Sequence, residues 1–103
     1  MTTNKQKLNL MYKQDKNEPN SKEDISKLTK IPIKFLDEIY DRGLKAYENT
    51  TKNIKKKVNE NAYAYGRIYA FVVKRRQGAL DFDLDISSDI RKYQKKERDN
   101  KEK

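Results

Sequence analysis

Apolar residues recur along this chain with two different periods, and the switches between them mark where its elements begin and end. Ser21 followed by Asp24 is the pattern of a helix N-cap with an acid in the first turn, and Ile25 and Leu28 follow on one face. This predicts a short helix from about Lys22 to Thr29. Pro32 holds Ile31 extended and suits the first turn of a second helix. Ile33, Leu36, Ile39, Tyr40, Gly43, Leu44 and Tyr47 then fall near a 3.6-residue period and carry that helix to about Glu48. Gly43 is costly inside a helix, so it marks either close helix packing or a break. Asn49 to Val58 has few apolar positions and reads as a solvated loop or frayed turn. Asn59 or Asn61 can cap the next helix, with Ala62, Tyr65, Tyr69, Val72 and Val73 facing inward, Ile68 flanking them, and Gly78 as its stop.

Beyond Gly78 the period changes to two. Leu80, Phe82, Leu84 and Ile86 alternate with Asp81, Asp83 and Asp85, which predicts an extended segment. A lone strand has nothing to pair with, so the segment either lies across the helices or adds to a partner's sheet. Ser87 or Ser88 can cap a charged terminal helix from Asp89 onward. At the other end, residues 1–20 are polar, with Leu8, Leu10, Met11 and Tyr12 as the sole apolar anchor. That composition buries too little surface to offset its ordering entropy and reads as a flexible arm. The expected fold is mainly α: a small helical domain over residues 21–86, built from two principal helices plus one or two short ones. A flexible polar arm (1–20) precedes it and a charged helix or tail (87–103) follows.

Composition narrows the functions. Of 103 residues, 40% are charged and 34% hydrophobic, which leaves room for one domain with a small core. The absence of Cys removes disulfides, thiolate metal sites and cysteine nucleophiles, and the absence of His removes the usual neutral-pH base and commonest metal ligand. A non-enzymatic protein with no cofactor is the expectation. No stretch approaches the roughly 20 apolar residues of a membrane span, and the start lacks a signal-peptide pattern. These features point away from a membrane and toward an intracellular compartment or a particle assembled in one.

Charge supplies the first binding candidates. The net charge of +9 favours polyanions and acidic protein faces. It is unevenly spread, since residues 1–78 hold 18 cations and 9 anions, whereas residues 79–103 hold 7 of each. Lys52, Lys55, Lys56 and Lys57 form one basic cluster, and Lys74, Arg75 and Arg76 another. Together they form a candidate surface for nucleic acid or an acidic partner, although cations in the last turn of a helix also complement its dipole. Tyr65 and Tyr69 are spaced for core packing, while Tyr63 projects differently and is the better aromatic for binding. Leu80, Phe82, Leu84 and Ile86 are candidates for docking on a partner. Asp81, Asp83 and Asp85 resemble the opening of a calcium loop, but Ile86 stands where its turn glycine belongs and Lys92 where its bidentate Glu belongs, so no metal is expected.

Tyr40, Arg42, Gly43, Ala46 and Tyr47, followed by AYAYGRIYAF from Ala62 to Phe71, resemble a family of small uncharacterised domains of tailed phages, including cyanophages, and of large DNA viruses of algae. The likeness runs from about Ile33 to Ile86. Tyr63 stands where that family usually has Trp, and a Lys-rich connection replaces one rich in Gly, His and Arg. The resemblance implies a compact helical domain of viral origin, with Tyr40, Arg42, Gly43, Tyr47, Gly66, Arg67 and Phe71 as its structural signature. Arg42, Gly43, Gly66 and Arg67 would then set how the two principal helices meet, Arg67 reaching a carboxylate such as Asp37 or Asp41. The function expected on these grounds is a virion-associated structural or accessory protein that binds other virion or capsid proteins, in an oligomeric assembly, located in the virion or in the host cytoplasm during infection. The alternative is a DNA- or RNA-binding protein using the Lys/Arg surface.

Overall fold

Ser21 accepts a hydrogen bond from the Asp24 backbone N–H, and the Asp24 side chain accepts one from the Ser21 N–H. This reciprocal capping box satisfies two amides that the helix cannot satisfy itself. In the computed structural model, which describes residues 3–50 and 59–101, it starts α2 (Lys22–Thr29). Thr3 and Gln6 form a second capping box that starts α1 (Asn4–Met11). Pro32 precedes α3 (Ile33–Thr50), Asn59 caps α4 (Glu60–Gln77), and α5 (Leu84–Lys101) follows a short linker. The described fold is all helical.

α4 lies at the centre, packed against α3 along its length and against α1 on another side, with α2 and α5 both on α3. The core joins Leu8 of α1, Ile25 of α2, Phe35, Leu36 and Ile39 of α3, Ile68, Phe71, Val72 and Val73 of α4, and Ile86 and Ile90 of α5. Burying each such side chain contributes about 1.5–3 kcal/mol, so even this small core outweighs any single polar contact. At Gly43 α3 and α4 approach closely: a Cβ there would stand 2.9 Å from the Ala64 Cα. Gly78 ends α4 at φ +73°, the left-handed region open to glycine, and the Ala79 N–H closes on the Lys74 carbonyl at 2.8 Å.

Three expectations are corrected. Residues 4–11 form a helix that packs on α4 with Leu8 buried, and the segment after it is tied back to this helix instead of standing off as an arm. Asn9, fully buried, organises it: its Nδ2 donates to the carbonyls of Lys16 and Glu18, both at 3.0 Å. Its Oδ1 accepts from Gln14 at 3.0 Å and Asn20 at 2.7 Å. Second, the alternating segment is not a strand. Leu80 and Phe82 pack on the core from the linker, and the helix already begins at Leu84, so Ile86 and Ile90 bury as an i, i+4 pair. The Asp83 carbonyl takes its first bond, from Ser87, whose hydroxyl is buried rather than capping. The principal helices therefore number three, each of 18 residues. Third, the buried face of α4 is Ala64, Ile68, Tyr69, Phe71, Val72 and Val73, leaving Ala62 exposed. Neighbours on two sides bury a wider arc of α4 than a single amphipathic stripe allows.

Candidate functional site

The outward edge of α4 carries a small residue at each turn: Ala62, Gly66 and Ala70. Side chains stand on both sides of this edge, so it forms the floor between two open grooves. The first, of about 430 Å³, is lined by Ala62, Tyr63, Gly66, Arg67, Ala70 and Phe82. The second, of about 650 Å³, lies between Tyr65 and Tyr69 on one wall and Asn4, Pro19 and Asn20 on the other. Nothing stands within 4 Å of where a Gly66 Cβ would be.

The walls of the first groove are held by packing. Tyr63 lies against Tyr47 of α3 with ring centroids 5.6 Å apart. Phe82 meets Phe71 edge to face at 6.3 Å, and the Arg67 guanidinium and Lys74 ammonium sit 5.3 and 5.6 Å from its centroid. Phe82 keeps this place because its neighbour Asp83 is clamped. Arg67 donates to both Asp83 oxygens, through Nε at 3.0 Å and Nη2 at 3.1 Å, and Arg42 adds Nη1 at 3.0 Å. The Asp83 side chain is only 4% exposed, so two cations from two helices hold one buried carboxylate and fix the linker between α4 and α5. Asp83 also sits at φ +50°, a left-handed conformation that this clamp helps to maintain. Arg42 continues to Asp85 (2.6 Å) and Glu38 (3.3 Å). Its bonds to Asp85 and Asp83 raise its proton affinity well above the ordinary arginine value, and in return hold the Asp85 carboxyl down at about 2.

The signature residues divide by role. Gly43 makes the close approach to Ala64, Phe71 is fully buried, and Tyr40 packs edge to face with Tyr65 at 5.6 Å. Arg42 and Arg67 meet at Asp83 rather than setting the helix crossing themselves. Asp37, an expected partner of Arg67, bonds Lys22 at 2.8 Å instead. Gly66 faces the grooves and not the helix contact.

The basic end of α4 is turned onto its own chain. Lys74 approaches Asp81 at 3.8 Å, and Arg76 lies over the Tyr12 ring and donates to its hydroxyl at 3.3 Å. Arg75 donates to Ser87 Oγ at 3.1 Å and to Gln94 Oε1 at 3.5 Å; burial lowers its proton affinity, and the charge of Arg91 acts the same way. Lys52, Lys55, Lys56 and Lys57 lie outside the described residues. Of the expected docking residues, Ile86 is buried, Leu80 and Phe82 are half-buried, and Leu84 is the exposed one. Asp83 and Asp85 meet on the Arg42 guanidinium, whereas Asp81 faces Lys74, so each of the three carboxylates is matched by a side-chain cation. Among the described residues no group of three His, Cys, Asp or Glu is placed to hold a metal ion, and no helix is long and apolar enough to cross a membrane.

Sequence reasoning passed over Asn9 and the role of Asp83. A single Asn in a polar stretch carries no local signal, whereas the pairing of Asp83 with Arg67 was foreshadowed by an arginine among small residues that needed a carboxylate. A family model matches residues 1–96, described as a family of unknown function (DUF5824). No curated protein and no solved structure matches the chain.

Proposed function

We propose that this chain, which belongs to the DUF5824 family, is a non-enzymatic accessory or structural protein of a phage or other virus, incorporated by docking on other virion proteins. The viral setting rests on the resemblance of the Tyr40–Tyr47 and Ala62–Phe71 blocks to phage and algal-virus domains. The docking reading is supported by one observation. Tyr63 and Phe82, singled out for unrelated reasons, line the same groove over Gly66, with Arg67 at its side. Aromatic walls fixed by Tyr47 and Phe71 lose little side-chain entropy on binding, and an open small-residue floor admits an apolar side chain or a helix of a partner. Lys74, Arg75 and Arg76 each contact their own chain, at Asp81, Ser87 and Tyr12, which favours this reading over nucleic-acid binding through the end of α4.

The test is quantitative mass spectrometry of purified virions. Incorporation by docking gives a stoichiometric copy number for the wild type and a marked loss for Gly66→Gln, which obstructs the groove floor at a position where a side chain has open space. Absence of the wild-type protein from particles, or equal incorporation of the variant, contradicts the proposal.

A further inference from the structure

The outer face of α5 carries a row of exposed cations. α5 buries Ile86, Ser87 and Ile90 and half-buries Gln94, a single stripe along one side of an 18-residue helix. Arg91, Lys92, Lys95, Lys96 and Arg98 are all exposed. At 3.6 residues per turn they span an arc of about 160° that starts beside Ser87 and runs round the solvent side, over about 10 Å of helix axis. Among the described residues no carboxylate ion-pairs with any of the five, in contrast to Lys22, Arg42, Arg67 and Lys74, each of which has one. More cations flank the arc. The Lys34 ammonium lies 5.5 Å from the Tyr93 ring, the Lys30 carbonyl accepts from Gln94, and Arg75 reaches α5 at Ser87 and Gln94. From Arg91 to Lys101 the sequence has six cations against two acids, Glu97 and Asp99. The even charge balance of residues 79–103 conceals this, because Asp81, Asp83, Asp85 and Asp89 sit in the linker and the first turns of α5.

The chemistry of the face selects its partner. It has no apolar anchor of the kind that dominates protein–protein interfaces, which disfavours an acidic protein. Tyr93, the aromatic of this stretch, is 37% exposed but packs edge to face against Phe35 with centroids 6.3 Å apart, outside the arc of the five cations, so it adds no stacking platform to them. A helix about 10–12 Å across with cations on both flanks fits the major groove of B-form DNA, about 12 Å wide, where it meets phosphates of both strands. Gln94, the amide able to read base edges, is turned toward Arg75 and Lys30. We infer that the outer face of α5, Arg91, Lys92, Lys95, Lys96 and Arg98, is a sequence-independent binding surface for the phosphate backbone of duplex DNA. This surface is separate from the groove over Gly66 and stands or falls independently of it.

Fluorescence anisotropy with a short labelled duplex of mixed sequence tests it on the full chain. Neutralising about five phosphates gives a slope of log affinity against log salt of about −4.5, a loss of about 500-fold between about 50 and 200 mM. The variant Arg91→Gln/Lys95→Gln/Arg98→Gln reduces the slope to about −2. The control Lys7→Gln/Lys27→Gln/Lys45→Gln, with the same change in net charge at exposed positions elsewhere, keeps the wild-type slope, as does the groove variant Gly66→Gln. Circular dichroism verifies that each variant retains its helicity. Absence of binding at low salt, or equal losses in the two triple variants, overturns the proposal. Equal competition by polyglutamate points to an acidic protein and overturns it as well. Equal affinity for single-stranded DNA, or for duplex RNA with its narrow major groove, refutes the groove fit.

Discussion

Replacing Gly43 by alanine puts a methyl group into a close contact between α3 and α4. The added carbon stands 2.9 Å from the Ala64 Cα, 3.2 Å from its Cβ and 3.5 Å from the Arg67 Cδ. The ordinary carbon–carbon separation is about 3.5–4.0 Å, so α3 and α4 must part by roughly half an ångström, and a backbone atom cannot rotate away as a flexible side chain would. Overpacking of this kind costs about 1–3 kcal/mol, against about 1 kcal/mol gained by replacing glycine with alanine inside a helix. With rigid backbone as the obstacle the cost sits at the upper end, and the net loss is about 2 kcal/mol. Gly66→Ala is the internal control: the same substitution, also within a helix, meets nothing within 4 Å. It gains about 0.5–1 kcal/mol from propensity alone. Urea unfolding followed by far-ultraviolet circular dichroism should separate the two variants by about 3 kcal/mol, with opposite signs relative to wild type. If Gly43→Ala is as stable as Gly66→Ala, the close approach of α3 to α4 is wrong.

Other substitutions test the polar devices. Asn9→Leu removes both donors to the Lys16 and Glu18 carbonyls and the acceptor for Gln14 and Asn20; it should cost about 2–3 kcal/mol in urea unfolding and release residues 12–20 to rapid hydrogen exchange. Asp83→Asn leaves two arginines sharing an uncharged acceptor, and because both guanidinia are partly exposed the loss should be about 2 kcal/mol, read in the same assay. Asp85 has a folded pKa of about 2, below the unfolded carboxylate value, so its contribution is fully present above about pH 4 and is lost as the pH falls toward 2. Thermal midpoints measured from pH 4 to pH 2 should therefore fall less in Asp85→Asn than in wild type.

How far the fold was legible follows from where its stabilising contacts lie. α2 could be bounded from Ser21, Asp24, Ile25 and Leu28, since a capping box and an apolar pair are local in sequence. α4 was bounded by Asn59 or Asn61 and by Gly78 for the same reason, and Asn59 is the cap. α1 was missed because its ordering depends on Asn9 bonding residues seven to eleven positions away, and a composition rule counts Asn as solvent-seeking. The alternation from Leu80 to Ile86 misled because two apolar residues of an irregular linker happen to precede a helix in the same phase. Part of the candidate site was visible: Tyr63, Gly66, Arg67 and Phe82 were each marked. Their convergence was not, because the Asp83 clamp that brings Phe82 to α4 joins residues 16 and 41 positions apart.

Hydroxyl-radical footprinting of the free protein and of the protein in purified virions, quantified by mass spectrometry, examines the docking groove directly. Modification of Tyr63 and Phe82, normalised to Tyr12 outside the groove, should fall several-fold on incorporation. Equal modification of both rings in the free and incorporated protein would show that the partner lies elsewhere.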